Sequence, residues 1–477
     1  MRRVRNACVP SGQQTIQEVH LVPSRPRPRL PPRSSLVSVL PRARPAPPTP
    51  GRPRSRSRPT DGRGGQRPTR SRAPSALGFE PSSIPAVRQR WLDHHEHVRR
   101  SSLCTIGRYS SATQHLLNFL RDVRPLRRIS DFRAVQAEEF VRYLRSLNVA
   151  PNGHTNACKR RLRDNGVKYV LETCSTLFNY AARYRHLPPY AENPFLTIEI
   201  HRIPVEDPKP IIVFSSDIER RFLSACDEWQ FPIFATLMLT GLRPGELVHL
   251  LLPEDVDLDA GWLYIRNKPG LGWKVKTRNE RAIPLVPALH AVLRQLIGSR
   301  DTGPVFLQRR CFSGHHPPLM DYGREQLERE LVSRSERKGD TGRSGLAAAA
   351  KTIWRDLGAL KYDWLRKEFM KITDQCGIPE ITAPKTLRHT FATCLQDANV
   401  DPLIRNELMG HAPTSFGANG CGLGMTAAYT HSRPETKRRQ LEDAMQLRPV
   451  ISLADSFVAD AQQALRNGTE IRSDSNE

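Results

Sequence analysis

The chain has 477 residues, with 73 Lys and Arg set against 48 Asp and Glu, a net formal charge of +25 and a pI near 10.2. That balance points to a polyanionic partner, nucleic acid first, and the length allows two folded domains plus tails. No run of 18 apolar residues occurs, so no membrane-spanning helix is expected. The nine cysteines are scattered without a Cys-x-x-Cys pair, which argues against a disulfide scaffold and suits a reducing cytoplasm.

Residues 1–82 read as a disordered tail. The first 80 carry 17 Arg, no Lys, 15 Pro and three acids (Glu18, Asp61, Glu80), and so hold +14 of the net charge. Pro and Arg at this density bury no core. A solvated tail, a counterion-releasing anchor and a transit peptide are the open readings, although Pro breaks the amphipathic helix that the last requires. From 83 to 200 the pattern is helical. Thr105–Leu120 carries Tyr109, Leu116, Leu117 and Leu120. Val135–Leu147 carries Phe140, Val141, Leu144 and Leu147. Val167–Ala181 carries Val170, Leu171, Cys174, Leu177 and Phe178. Lys159, Arg160, Arg161, Arg163 and Lys168 gather beside these stripes, as a phosphate-binding face or a solvated one. Pro204, Pro208 and Pro210 stiffen a linker over 201–214.

A second domain is expected over 215–446, opening with Ser215-Ser216-Asp217 as the N-cap of a helix over 218–226. Phe231–Leu239 is an apolar helix, Gly241 a break, and Leu247, Leu250 and Leu251 have the spacing of a second helix. The Asp-rich run at 253–259 fails as a calcium loop, because Ala260 stands where Gly is needed and Arg266 where the closing Glu is needed. Gly261–Arg266 and Arg281–Leu285 pair as a hairpin with Lys274 and Lys276 between them. Residues about 308–350 look like a polar insertion, with Gly339–Gly345 as loop. Cys311, His315 and His316 there have no fourth ligand for zinc. One amphipathic helix is expected over Trp354–Ile372, a basic-then-apolar helix over Pro434–Met445, and a polar, frayed tail over 447–477. The fold class is thus mainly α with a small β-hairpin or sheet.

Four short stretches carry the chemistry. Thr240-Gly241-Leu242-Arg243-Pro244-Gly245-Glu246-Leu247 offers Arg243, with Glu246 three residues on to orient its fork. Pro384-Lys385-Thr386-Leu387-Arg388-His389-Thr390-Phe391-Ala392-Thr393 offers Lys385 and Arg388 at i, i+3. Leu408-Met409-Gly410-His411 and Ala427-Ala428-Tyr429-Thr430-His431 complete the set. A phosphodiester gathers negative charge on its non-bridging oxygens at the transition state. Planar, permanently protonated guanidiniums suit that target, and each donor aimed at developing charge is worth roughly 3 kcal/mol. A flexible Lys can protonate a leaving 5′ oxygen. A Tyr hydroxyl, with a pKa of about 10, becomes a nucleophile beside cations or a base. The phosphotyrosyl ester it leaves is reversible by another hydroxyl, which suits strand exchange better than hydrolysis.

The order Arg, hairpin Lys, Lys-x-x-Arg, Gly-His, Tyr resembles the tyrosine recombinase (phage integrase) family over roughly residues 85–445. By that resemblance, 83–200 is a helical core-binding domain that closes over one side of the duplex, and 215–446 a mixed α+β catalytic domain. Arg243 and Arg388 would clamp the scissile phosphate, and Lys276, ahead of Lys274, would be the general acid. His411, with Lys385, would assist at the phosphate, and Tyr429 would be the nucleophile. The family commonly has His where Lys385 stands. His411 and Tyr429 are 18 positions apart, about twice the usual gap, across Gly417, Gly420, Gly422 and Gly424. A flexible inserted loop is expected there. In the family a helix like Pro434–Met445 docks into a neighbouring subunit; a helix capping its own domain is the other reading. The resemblance implies a site-specific recombinase acting on double-stranded DNA, a homotetramer on synapsed DNA, no cofactor and no metal, and a cytoplasmic, nucleoid-associated location. A type IB topoisomerase-like relaxer and an inactive DNA-binding remnant are the alternatives.

Overall fold

The computed structural model describes residues 78–150, 158–206, 211–411 and 432–473. The Arg/Pro tail through residue 77, the linker residues Pro208 and Pro210, the glycine-rich stretch, Tyr429 and His431 lie outside the described residues. Two compact units are formed, one ending at Lys209 and one beginning at Pro210.

The first unit is helical. Ser83 caps α1 (Ile84–Asp93), which runs into a π turn over His94–Val98, and Ser102 caps α2 (Leu103–Asp122). Next come α3 (Ala134–Ser146), a two-residue ribbon of β1 (Asn148–Val149) with β2 (Arg160–Arg161), and α4 (Asp164–Arg183). The apolar stripes of all four helices meet in one core around Trp91, Leu116, Phe119, Phe140, Leu171 and Phe178. Asn193 closes that core from the C-terminal side. Its amide donates to the Ser175 carbonyl at 2.9 Å and its carbonyl accepts from the Phe195 N–H at 3.0 Å, so Phe195 packs inward. Lys159, Arg160, Arg161 and Arg163 are exposed and Lys168 is half-buried.

The second unit opens with α5 (Ser216–Ser224), where Ser215 Oγ accepts from the Ile218 N–H at 3.3 Å. Then come the wholly buried α6 (Gln230–Thr240) and a short α7 (Pro244–Leu247). The expected helix through Leu251 is not formed: α7 ends at Leu247, and Leu251 lies in β3 (Leu251–Leu252), paired with β7 (Gly303–Pro304). Pro253 keeps its neighbour Leu252 out of the helical region, which suits the extended pairing of Leu251–Leu252. A three-stranded antiparallel sheet follows, in the order β4 (Val256–Asp257), β5 (Trp262–Ile265), β6 (Arg281–Pro284), with Leu263 opposite Ile283. The Asp-rich run at 253–259 thus supplies an edge strand. One face of the sheet joins the main core through Leu263, Ile265 and Ile283. Beyond it come α8 (Pro287–Ile297), α9 (Arg309–Phe312), α10 (Arg324–Arg337) and α11 (Arg343–Asp356).

The single helix expected over Trp354–Ile372 is two. The chain breaks after α11 and restarts as α12 (Tyr362–Gln375). Gly358 takes φ +80°, and a Cβ there would sit 2.4 Å from Pro317 Cγ, so glycine permits the reversal. The break lets the Leu360 N–H donate to the Phe306 carbonyl at 3.0 Å. The loop expected over 339–345 is shorter, since Gly345 already lies inside α11. α13 (Lys385–Asp397), α14 (Pro402–Met409) and α15 (Pro434–Met445) complete the motif-bearing part.

Within the expected tail over 447–477, the described residues 447–473 are not polar and frayed. Pro449–Ser473 form a long helix, α16. Val450 and Ala454 are buried in the main core, and Phe457 stacks on Phe231 with ring centroids 4.6 Å apart. Those apolar positions recur at i, i+4 and i+7, a helical stripe embedded in polar composition. α15 likewise packs on its own chain, with Leu441 and Met445 buried. Arg448 at the α15–α16 junction is itself buried. Its guanidinium bonds Glu219 at 2.7 Å and the Met238 carbonyl at 2.6 Å. Arg448→Ala strands a buried carboxylate, and urea unfolding should show a loss of about 3–5 kcal/mol; a tail without a structural role would leave the midpoint unchanged.

Candidate active site

Arg243, Arg281 and Arg388 are each placed against a helix end. α6 stops at Thr240 because Gly241 takes φ +60°, and a Cβ on Gly241 would meet Phe391 Cδ1 at 2.2 Å. α14 stops at Met409 because Gly410 takes φ +63°, and a Cβ there would press Arg281 Nη1 at 2.8 Å. Both terminations leave carbonyls that point out of a helix C-terminus, the negative end of its dipole. Arg388, 6% exposed, bridges the two. It donates from Nη1 to the Gly241 carbonyl at 2.6 Å and from Nη2 to the Met409 carbonyl. Arg281 Nε donates to the next carbonyl of the same turn, Leu408, at 2.9 Å.

Glu246 ties the remaining cations together. Its carboxylate is almost wholly buried. It accepts from Arg243 Nη1 at 2.8 Å, from the Arg243 backbone N–H at 2.9 Å, and from Arg281 Nη2 at 2.6 Å. Burial alone would raise its pKa, but the Arg281 and Arg243 partners more than offset this and hold it below the usual carboxylate value. Among the described residues, Arg388 has no carboxylate of its own. Burial, then the charge of Arg243, pushes its pKa down to about 9, so it stays protonated at neutral pH while crowded by like charge. His411 follows directly on the Gly410 turn. Desolvation first, then Arg388, Arg243 and Arg281, lowers its pKa, so its imidazole is neutral at pH 7. The cluster therefore carries an excess of positive charge that an anion would relieve.

The structure brings Arg243, Arg388 and His411 into one electrostatically coupled group. Lys276 is exposed, and its neighbour Thr277 donates to the Gly410 carbonyl at 3.2 Å, tying the lysine-bearing tip to the turn before His411. Lys274 is exposed as well, while Val275 between them is buried in the core. Lys385 is exposed on the first turn of α13, and His389, half-buried on the same helix, has its pKa lowered by burial and then by Lys385 and Arg388. Tyr429 lies outside the described residues. Sequence reasoning missed Arg281. It was read as the first residue of a returning strand, and its only signal was a basic side chain where a half-buried strand begins.

No family model matches the chain. Tyrosine recombinase XerA of Pyrococcus furiosus is 27% identical over 212 residues, 44% of this chain and 53% of that protein. The chain thus spans about half the length of that relative. A tyrosine recombinase of Pseudothermotoga lettingae is 23% identical over 348 residues, 72% of this chain and 93% of that protein. The chain is thus similar in sequence to tyrosine recombinases. Among solved structures, the Tn1549 transposon integrase with a circular intermediate DNA is 16% identical, at a TM-score of 0.46 over 76% of this chain and 99% of that one. Of the residues singled out in the sequence, Arg243, Arg388 and His411 fall in the charge-coupled group, and Arg281 and Glu246 supply its internal scaffold.

Two outcomes follow from this geometry. A carboxylate with a depressed pKa adds stability that is complete above its usual value near 4.5 and lost as pH falls through the lower folded-state value. Glu246→Gln should therefore flatten the acid limb of a stability–pH curve measured by urea unfolding between about pH 3 and 7. The His411 imidazole should titrate below the usual histidine range in the free protein by NMR, and shift upward when inorganic phosphate binds the arginines; an unchanged titration would mean that no anion reaches the cluster.

Proposed function

We propose that the protein is a site-specific DNA recombinase that cuts and rejoins strands through a 3′-phosphotyrosyl intermediate. The observation that carries this reading is the Arg243–Arg388–His411 cluster, held rigidly by helix ends and Glu246 and overcharged until an anion arrives. A pentacoordinate phosphorane is the group that would profit most from such a site, because its charge exceeds that of the ground state.

In the proposed cycle, Tyr429 Oη attacks phosphorus and a P–O bond forms to the tyrosine. The P–O5′ bond breaks, and the leaving 5′ oxygen takes a proton from Lys276. Arg243 and Arg388 hold the non-bridging oxygens. His411, neutral before the substrate binds, accepts the tyrosine proton, and Lys385 donates to the phosphate. The freed 5′-hydroxyl of a partner strand then attacks the phosphotyrosine, restoring a phosphodiester and giving a Holliday junction. Ester energy is conserved throughout, so resealing needs neither ATP nor metal. Exchange between two duplexes implies four protomers on synapsed DNA, at the nucleoid.

The test is a covalent-adduct trap. Nicked duplexes incubated with the protein in chelator should yield an adduct on a denaturing gel, lost in Tyr429→Phe and reduced about 10²–10³-fold in Arg388→Ala. Joining strands of two DNA molecules supports recombination, and relaxing one supercoiled plasmid without exchange supports the topoisomerase reading. An adduct that survives Tyr429→Phe would assign the nucleophile to another residue, and DNA retained without any adduct would leave only a binding protein.

A further inference from the structure

The tip between β5 and β6 runs from Arg266 to Glu280 and carries both candidate acid lysines. A lysine that protonates a leaving oxygen needs reach, but it also needs its backbone held. In this structure the tip is not a free loop. It folds into a 3-10 turn over Pro269–Leu271, and Lys268 and Trp273 pair across it, each backbone N–H donating to the other's carbonyl at 3.0 Å.

Polar segment 308–350, with the rest of α11, supplies the holding surface. Leu271 is fully buried in a small core separate from the main one, among Leu327 and Leu331 of α10 and Ala350, Ile353 and Trp354 of α11. Trp354 Nε1 donates to the Leu271 carbonyl at 3.0 Å. Gly270 and Gly272 let the helices close on the backbone: a Cβ on Gly272 would lie 2.5 Å from Ala350 Cβ, and one on Gly270 would lie 2.3 Å from Glu328 Oε1.

Two further contacts tie the tip to the Arg243 segment. The His249 ring stacks on Trp273, with centroids 4.9 Å apart and planes 15° apart, and meets Trp354 edge-on at 4.5 Å. Its Nδ1 donates to the Gly245 carbonyl of α7 at 2.7 Å. Burial, then Lys268, offsets that hydrogen bond and pushes the His249 pKa down to about 4, so a neutral ring stacks at pH 7. Beneath Trp273, Lys268 is 1% exposed and pairs with buried Asp255 at 2.7 Å. Lys268 is thus spent on structure, and Lys274 and Lys276 begin directly after this clamp.

We propose that the α10–α11 hairpin is a brace that fixes the lysine-bearing tip against the Arg243 segment, with Trp354, Trp273 and His249 as positioning residues for the general acid. The brace acts on the same reaction as the strand-transfer reading and rests on it. Protonation of the 5′ oxygen is the step it serves, so its loss should matter only when the leaving atom needs a proton.

The experiment uses full-length protein and two readouts. Amide hydrogen exchange in Trp354→Ala should accelerate at Leu271 and Trp273 by about tenfold or more, with the β5 and β6 amides unchanged. Cleavage of an ordinary phosphodiester should slow by about 10²-fold in the same variant, as expected for a catalytic group displaced by an ångström. Cleavage of a 5′-bridging phosphorothiolate, whose thiolate leaves without a proton, should return close to the wild-type rate. Trp354→Phe keeps an aromatic ring and loses the N–H to Leu271; it should show the same pattern more weakly and serves if the Ala variant does not fold. Unchanged exchange at the tip, or an equal defect on oxygen and sulfur substrates, overturns the brace. Wild-type protein that forms no adduct with either substrate overturns the strand-transfer reading instead, while the exchange measurement still decides whether the tip is held.

Discussion

Glu246 lies between two guanidiniums in a place with almost no water, and the positions of the other cations follow from it. A buried carboxylate is tolerable only when its oxygens are satisfied, and here Arg243 and Arg281 each donate to both of them. Arg281 is thereby fixed against the last turn of α14 through the Leu408 carbonyl. The next carbonyl of that turn, Met409, receives Arg388. One carboxylate thus sets the spacing of three arginines that would otherwise repel one another apart.

Helix ends do the remaining orientation. Backbone carbonyls at the C-termini of α6 and α14 accept from Arg388, and neither acceptor carries a full charge. The distinction matters for chemistry at a phosphate. A carboxylate on Arg388 would neutralise it before any substrate arrived, whereas a carbonyl aims the fork and leaves its charge available. The glycines that end these helices are needed twice over, for the left-handed backbone and for the close approach of Phe391 and Arg281. Substrate-facing groups on helix ends backed by one apolar core are held more rigidly than groups on loops. The lysine tip lacks that support, and α10 and α11 furnish a second small core beneath it.

Much of this was legible from residue order. Gly241 read as a helix break, and Glu246 at i+3 from Arg243 read as its orienting partner; the matching break at Gly410 emerged only in the structure. The i, i+3/i+4 stripes of the first unit and of Pro434–Met445 needed no tertiary information, because local periodicity and burial coincide there. Where they diverge, the sequence misled. Leu250 and Leu251 have helical spacing, but Pro253 and the pairing with Gly303–Pro304 draw Leu251 into a strand. The apolar positions from Trp354 to Ile372 fit one helix, yet they serve two cores, and the chain must turn at Gly358 to reach both. Polar composition hid the stripe of Val450, Ala454 and Phe457 within α16.

By itself, the sequence determined which side chains are available and in what order: two arginines, a Gly-His, lysines in a hairpin, and helices whose caps and breaks are written locally. Only the tertiary structure decided which basic residues are spent on buried carboxylates. Arg281, Lys268 and Arg448 look like any other cation in the sequence, but each is paired to a buried carboxylate on another element, Glu246, Asp255 and Glu219 respectively. The physical reason is that capping and periodicity depend on neighbours within a turn or two. The partner of a buried charge depends on which distant elements the core packs together.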